Sequence, residues 1–223
     1  FNMYAPPQEP AARDDEYRKS AVKAFKEHVG YLTTSEDEEK SLLDYFAYLV
    51  QNKGKKCDWT PLLIGDEGTG KSYFYELFER IFGEDNCASV AADALLDGWT
   101  DFMAGKLFVM SHEVKMKEHH GLEKLKNLIT EKRVRVNGKH EKIYWIKNCA
   151  NFLLSSNESD ALRLTMKSRR FFVVFSRAAH HESVHHACHG RCHLGQSPSR
   201  SYECCEIAMH GASGRAGGLS WTV

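Results

Sequence analysis

Apolar residues recur with a helical period near the start of the chain. This helical spacing predicts an amphipathic helix whose apolar positions are Tyr17, Ala21, Val22, Phe25 and Val29. A second helix is predicted to begin at Ser35, because Ser35 and Glu38 have capping-box spacing ahead of an apolar face at positions 42–50. Both helices are expected to pack against the rest of the molecule.

From residue 58 onward, short apolar runs alternate with helical patterns. This alternation predicts a mostly parallel sheet covered on both faces. Asn137-Gly138 lies between two strand-like segments and is a strong hairpin signal. The predicted strands are 61–64, 88–91, 106–111, 133–136, 142–146, 151–155 and 171–175, and the predicted helices are 73–82, 92–103 and 118–130.

A glycine-rich segment between the first strand and the helix after it has the pattern G-x-x-x-x-G-K-S. Glycines let successive backbone N–H groups turn toward a phosphate at the positive end of the helix. Lys71 is expected to reach the β- and γ-phosphates and Ser72 to hold Mg²⁺, so ATP and Mg²⁺ are the predicted cofactors. The alternative is a chance glycine turn. The predicted ATP-binding residues are Gly65, Asp66, Glu67, Gly68, Thr69, Gly70, Lys71 and Ser72.

A phosphate loop of this kind needs a second acidic site at the end of another buried strand. Glu113 follows the apolar run LFVM and is the candidate general base and indirect Mg²⁺ ligand. His112 stands where a second acid is usual. The alternative is that Glu113 only ends a core strand.

Two further polar positions flank buried strands. Asn157 follows FLLSS and is a candidate for contacting the γ-phosphate or orienting an attacking water, although Ser-Ser-Asn after a strand also suits a simple turn. Arg169 and Arg170 precede FFVVF, and either line a solvated face or supply an arginine to a neighbouring subunit's γ-phosphate.

The charge of the chain is balanced overall but uneven along its length. Lys+Arg and Asp+Glu are 30 each. Residues 106–147, which include the predicted hairpin, contain eleven Lys/Arg against five Glu. This hairpin is predicted to contact single-stranded DNA, and the alternative is an edge strand kept soluble by its charges. The predicted DNA-binding residues are Lys132, Arg133, Arg135, Lys139, His140 and Lys142.

The remaining patterns concern the cellular location and the domain organisation. No apolar run is long enough for a bilayer, so we expect no membrane contact and a cytoplasmic location in a bacterium or infected host cell. The end of the chain, rich in His and Cys, suits a zinc site, a disordered tail or a frameshifted gene end. The predicted division is a linker (1–13), a helical lead-in (14–57), the core (58–175) and an irregular tail (176–223).

Five features occur in order: the glycine-rich loop after a strand, LFVMSHEV, the NGKHEK hairpin, LLSSN and Arg-Arg before FFVVF. Together they resemble a superfamily 3 helicase domain of the phage, plasmid and DNA-virus type, which is often fused to a primase. The stretch LLDYFAYLVQNKGKK is similar to the helical lead-in of phage primase-helicase proteins.

The resemblance implies an α/β fold of the P-loop NTPase, AAA+-like type that forms a homo-oligomer, usually a hexameric ring, on single-stranded DNA. A primase domain or partner is also implied. In this sequence Lys71 and Ser72 match the Walker A pair, Glu113 the Walker B glutamate and Asn157 the sensor asparagine. Arg169 or Arg170 matches the arginine finger, and Lys139 and His140 match the pair at the hairpin tip.

The function expected from the resemblance is an ATP-dependent DNA helicase motor of phage or plasmid replication. Two alternatives remain. The first is a P-loop kinase acting on a small molecule, which shares the glycine-rich loop but also needs a lid with arginines. The second is a degenerate prophage remnant that binds nucleotide or DNA without turnover.

Overall fold

The computed structural model describes residues 15–95, 100–115, 119–138, 142–158, 161 and 168–176. The predicted linker, the tail from residue 177 and two of the predicted DNA-binding residues, Lys139 and His140, lie outside the described residues.

Two helices open the described part of the chain, α1 (Asp15–Leu32) and α2 (Glu36–Gln51). Ser35 caps α2 as predicted, since the Glu38 N–H donates to Ser35 Oγ over 3.2 Å. The Glu38 carboxylate accepts from the Thr34 N–H at 2.8 Å, one residue earlier than a capping box requires. No helix in the described part of the chain combines the length and apolar character that crossing a bilayer demands.

The centre of the molecule is a five-stranded sheet in which every neighbouring pair is parallel. Its strands are β1 (Thr60–Ile64), β2 (Cys87–Ala91), β3 (Phe108–His112), β6 (Asn151–Ser156) and β7 (Phe171–Phe175), in the order β2-β3-β6-β1-β7. The remaining elements are helices α3 (Tyr73–Phe82) and α4 (His119–Thr130) and the antiparallel hairpin of β4 (Arg133–Val136) and β5 (Tyr144–Lys147). The predicted α/β class with a mostly parallel sheet is confirmed.

The three central strands, β3, β6 and β1, are buried on both faces. Alternate residues of a strand point to opposite faces. Leu63 and Leu153 pack with the apolar faces of α1, α2 and α3 in a phenylalanine-rich cluster. Leu62 and Leu154 pack with α4 in a second cluster on the other face. Because the first cluster includes residues of α1 and α2, the predicted lead-in shares its core with the predicted ATPase segment.

The prediction of a single helix over residues 92–103 is wrong for the described residues of that segment. They contain two short 3₁₀ helices, Asp93–Leu95 and Asp101–Met103. Between them, Thr100 is bonded to the hairpin: its N–H donates to Asn137 O, and its hydroxyl accepts from the Asn137 N–H, each over 3.1 Å. These long-range bonds use backbone groups of the hairpin, and no local pattern predicts them.

Candidate functional site

The glycine-rich loop, residues 65–72, connects the carboxyl end of β1 to the first turn of α3. Gly68 and Gly70 have φ angles of 76° and 85°, a region that glycine enters without steric cost. The Gly65 N–H donates to Ser156 O at 3.1 Å, which fixes the loop's start to β6. The backbone conformation therefore explains two of the loop's three glycines directly.

Lys71 lies inside this loop and is 7% exposed. Its Nζ donates to Gly65 O at 2.5 Å and to Asp66 O at 2.6 Å. Burial lowers the pKa of Lys71, while the carboxylates of Asp66 and Glu67 act in the opposite direction. The loop thus encloses an ammonium group at the N-terminus of a ten-residue helix, where an anion is favoured.

His28 of helix α1 contacts the backbone of the glycine-rich loop. It was not among the predicted site residues. His28 Nε2 lies 3.2 Å from Gly70 O, which also accepts from the Tyr73 N–H at 3.2 Å. Burial lowers the pKa of His28 from 6.5 to about 4. The ring is therefore neutral near pH 7 and donates from Nε2, which leaves its buried Nδ1 without a described partner. The available signal was a histidine next to the apolar positions of α1.

The strand order places three of the predicted site elements at one edge of the sheet. β3, β6 and β1 are neighbours, and because they are parallel their carboxyl ends lie together. Asn157 follows β6, and its Nδ2 donates to Glu67 Oε1 of the loop at 3.3 Å. Glu113 follows β3 on a chain held to β6 by the Val114 N–H, which donates to Ser155 O at 2.9 Å.

Glu113 is exposed and has a φ of 52°, and among the described residues it alone takes a positive φ without being glycine. A non-glycine residue in this region is strained by roughly 1–3 kcal/mol, and such strain clusters at functional sites. The preceding His112 has a pKa lowered by burial, with the Glu113 carboxylate acting to raise it. A neutral imidazole thus occupies the position where a second acid is usual.

The carboxyl edge offers few oxygen atoms that could bind Mg²⁺. Ser72 is exposed, and its hydroxyl makes no capping bond to α3, so it can face a ligand. Within the described ranges, His, Cys, Asp and Glu side chains form no group of three suited to a metal ion. Mg²⁺ commonly uses one or two protein oxygens together with substrate phosphates, and Ser72 and Glu113 fit that limited role.

The predicted arginines lie at the opposite, amino edge of the sheet. Arg169 and Arg170 come directly before β7, and the Thr60 N–H at the start of β1 donates to Arg170 O at 2.9 Å. A five-residue strand spans roughly 16 Å, so neither arginine joins the loop of its own chain. The structure therefore does not bring these two residues together with Lys71.

Four predicted DNA-binding residues are on the described part of the hairpin. Lys132, Arg133, Arg135 and Lys142 are all exposed. The Asn148 N–H donates to Lys132 O at 2.9 Å and closes the base of the hairpin, just before β6 begins. The hairpin therefore leaves the sheet near its amino edge, away from the glycine-rich loop.

Comparison with known proteins bears on the family and the function. Residues 63–170 match the model of family DUF5906, described as a family of unknown function. A DNA primase-polymerase of Nitratiruptor phage NrS-1 is 30% identical over 137 residues, covering 59% of this chain and 19% of that protein.

The fold is also similar to solved structures of the NrS-1 C-terminal region. One apo structure aligns with a TM-score of 0.64 at 23% identity, over 94% of this chain and 48% of that chain. An A-form apo structure aligns with a TM-score of 0.65 at 21% identity, over 93% of this chain and 49% of that chain. The chain spans about a fifth of the curated relative's length and about half of the length of these structures.

These findings overturn the expected helicase identity. The matches are to DUF5906 and to a protein named DNA primase-polymerase, so a superfamily 3 helicase, an ATPase motor and a hydrolase are the wrong predictions. The small-molecule kinase and the prophage remnant do not match either. The physical reason is that a phosphate-binding loop serves many nucleotide-using families, so its presence does not select the chemistry. These matches give no support to the ATP-binding and Walker A assignments.

Proposed function

We propose that this chain is part of a DNA primase-polymerase-like replication protein and that its glycine-rich loop binds the triphosphate of a nucleotide. The DNA primase-polymerase of phage NrS-1 supports the first half of the proposal. The geometry of the loop supports the second half. Nucleotidyl transfer is proposed for the whole protein, and this chain contributes binding of a nucleoside triphosphate to it.

The observation that carries the proposal is the buried ammonium of Lys71 inside the loop. Its bonds to Gly65 O and Asp66 O hold it in place beside the N-terminus of α3. A polyphosphate entering the loop would exchange neutral carbonyl acceptors for negatively charged oxygens, which adds Coulombic attraction between the ammonium and the phosphate. The sheet order also supports this site, since ligands of open parallel sheets bind at the carboxyl ends of the strands.

The roles of the other residues at this edge belong to the same proposal. ATP with Mg²⁺ stays the predicted ligand pair, with the metal held by Ser72, by phosphate oxygens and indirectly by Glu113. The Glu113 carboxylate is exposed and suits a proton acceptor for an attacking hydroxyl. Asn157 is proposed to leave Glu67 and donate to a terminal phosphate oxygen. A P-loop NTPase type of nucleotide domain accounts for this arrangement.

DNA binding and assembly complete the proposal. Single-stranded DNA is proposed to contact the hairpin through Lys132, Arg133, Arg135, Lys139, His140 and Lys142. Assembly into a homo-oligomer, with a hexameric ring as the predicted form, would let Arg169 or Arg170 approach a neighbour's loop. The exposure of Arg169 and its position at the amino edge are compatible with contact between chains.

Calorimetric titration of the chain with a nucleoside triphosphate and Mg²⁺ tests the proposal. Lys71→Ala removes the buried ammonium, and we expect its affinity to fall by about 100-fold, corresponding to charge-assisted bonds of roughly 1.5–3 kcal/mol. Lys19→Ala is the matched control, because Lys19 is exposed on α1 and carries the same charge. The absence of measurable binding to the wild-type chain, or equal binding by Lys71→Ala, contradicts the proposal.

A further inference from the structure

Basic side chains gather in a cleft of about 580 Å³ where the hairpin meets the amino edge of the sheet. Lys147 and Asn148 come from the end of the hairpin, and the facing wall is the segment between α2 and β1. Asp58 is the one carboxylate among the cleft's described lining. The charged residues that line it are Lys55, Lys56, Asp58, Lys132, Arg133 and Lys147.

One lysine is part of the wall, whereas the others face outward. Lys56 Nζ donates to Ala150 O at 2.9 Å and lies 5.3 Å from the centre of the Phe152 ring. Lys55 is exposed, and its Nζ donates to Asn52 Oδ1 at 3.1 Å. Within the described ranges, neither Lys132, Arg133, Arg135 nor Lys147 forms an ion pair with a carboxylate.

One exposed face of the hairpin adjoins this cleft. Arg133 pairs with Lys147 and Arg135 pairs with Trp145, so these four residues share one face. Val134 and Val136 point the other way and are buried. The two arginines are two residues apart on one strand, or roughly 6.8 Å along it. A row of cations at this spacing suits the regularly placed phosphates of an extended strand.

Trp145 is the most exposed of the large apolar side chains in the described residues, at 57%. The Arg133 guanidinium carbon lies 5.9 Å from the centre of its ring, within range of a cation–π contact. Contact between a large apolar ring and solvent is unfavourable, so a ligand that covers the indole would be stabilised. The indole presents a flat π-surface on which a nucleobase can stack.

We propose that a single strand of DNA lies along this hairpin face and enters the cleft, with one base stacked on Trp145 and phosphates on Arg135, Arg133, Lys147 and Lys55. This inference rests on the proposed DNA binding and extends the contact to Trp145, Lys147 and Lys55. A single strand fits better than a duplex, because stacking needs a base whose π-face is open. An acidic polypeptide offers charge without a base to stack.

Fluorescence anisotropy with the full chain and two labelled strands tests this path. One strand is oligo-dT, and the other is an abasic strand of equal length and charge. We expect the wild type to bind oligo-dT on the order of tenfold more tightly than the abasic strand, and Trp145→Ala to lose that preference. Tyr144→Ala is the matched control, since Tyr144 is an exposed aromatic residue on the opposite face of the same strand.

Lys147→Ala tests the phosphate contacts separately. We expect weaker binding to both strands and a salt dependence whose logarithmic slope is reduced by about 0.7 for the lost contact. Circular dichroism of each variant checks that the fold is kept. Equal preferences in the wild type, Trp145→Ala and Tyr144→Ala, or displacement of oligo-dT by polyglutamate at equal charge, overturn the stacking path.

The two proposals fail in different ways. If the wild-type chain binds nucleotide but no DNA, the DNA path is wrong and the nucleotide site stands. If it binds DNA with the expected preference but no nucleotide, the loop proposal is wrong and the DNA path stands. If DNA binding is unchanged in Trp145→Ala and Lys147→Ala, DNA binds elsewhere.

Discussion

The two edges of the central sheet differ in the groups they offer to a phosphate. At the carboxyl edge the groups are backbone N–H donors and one buried ammonium near the carboxylates of Asp66 and Glu67, and Glu113 follows β3 at the same edge. At the amino edge they are flexible side-chain cations with little acidic compensation, next to the exposed ring of Trp145.

Under the two proposals above, one parallel sheet would separate two kinds of phosphate recognition. A compact polyphosphate suits a rigid loop, because preformed N–H groups require little ordering on binding. An extended polymer suits separated side chains that release counterions and tolerate sequence. The edges are roughly 16 Å apart in a five-residue strand, so a substitution at one edge should leave binding at the other largely intact.

The largest effect on stability expected outside the binding assays concerns His28, which links α1 to the carboxyl edge. Its folded pKa of about 4 lies below the ordinary value of 6.5, so between these values the unfolded chain binds more protons. The contribution of neutral His28 to the free energy of unfolding is therefore fully present above pH 6.5 and is lost as the pH falls toward 4. At pH 5 we expect the free energy of unfolding to be lower by about 2 kcal/mol on this account. Urea unfolding at pH 7 and pH 5 measures it.

His28→Gln is the matched variant, because a glutamine amide can still donate to Gly70 O without titrating in this range. We expect the free energy of unfolding of this variant to fall less between pH 7 and pH 5 than that of the wild type. An identical decrease in both proteins would show that His28 does not couple protonation to the loop.

Two glycine substitutions, one near each edge, are expected to have intermediate effects on the free energy of unfolding. A Cβ at Gly65 would lie 2.5 Å from Ser176 Cβ, so Gly65→Ala forces the loop and β7 apart. We expect it to reduce the free energy of unfolding on the order of 1.5 kcal/mol and to weaken nucleotide binding.

Gly54→Ala serves as the control near the amino edge. Gly54 has a φ of +77°, and a Cβ there would meet nothing within 4 Å, so the cost is backbone strain without a clash. We expect about 1 kcal/mol of destabilisation with unchanged nucleotide affinity. Chemical denaturation and calorimetry measure both quantities, and a nucleotide defect in Gly54→Ala would argue against separate edges.

The smallest effect is expected for Arg169→Ala in dilute protein. Arg169 is exposed at the amino edge, so we expect the nucleotide affinity of a single chain to change by less than about twofold. A larger decrease should appear only at concentrations where light scattering detects association. A strong defect in the monomer would place Arg169 near its own loop and contradict the strand arrangement.

Sequence patterns predicted much of the carboxyl edge and less of the amino edge. The loop, the strands and the Ser35 cap each depend on neighbouring residues, and the structure confirms their positions. Trp145, Lys147 and Lys55 of the proposed DNA path were not among the predicted DNA-binding residues, because charge counting along the hairpin did not include strand register. His28 was missed because its partner, Gly70, is 42 residues away. The helicase prediction failed because motif order describes how phosphate is held rather than which reaction follows.

By itself, the sequence determined where the glycine-rich loop, the parallel strands and the basic hairpin lie along the chain. Glycine conformations, capping bonds and apolar alternation are set by residues close in sequence. Only the tertiary structure decided that Asn157 contacts the loop, that the two arginines lie at the opposite edge, and that Trp145 shares a face with Arg133. Those relations depend on strand order and register, which follow from burying both faces of one sheet through contacts between distant parts of the chain.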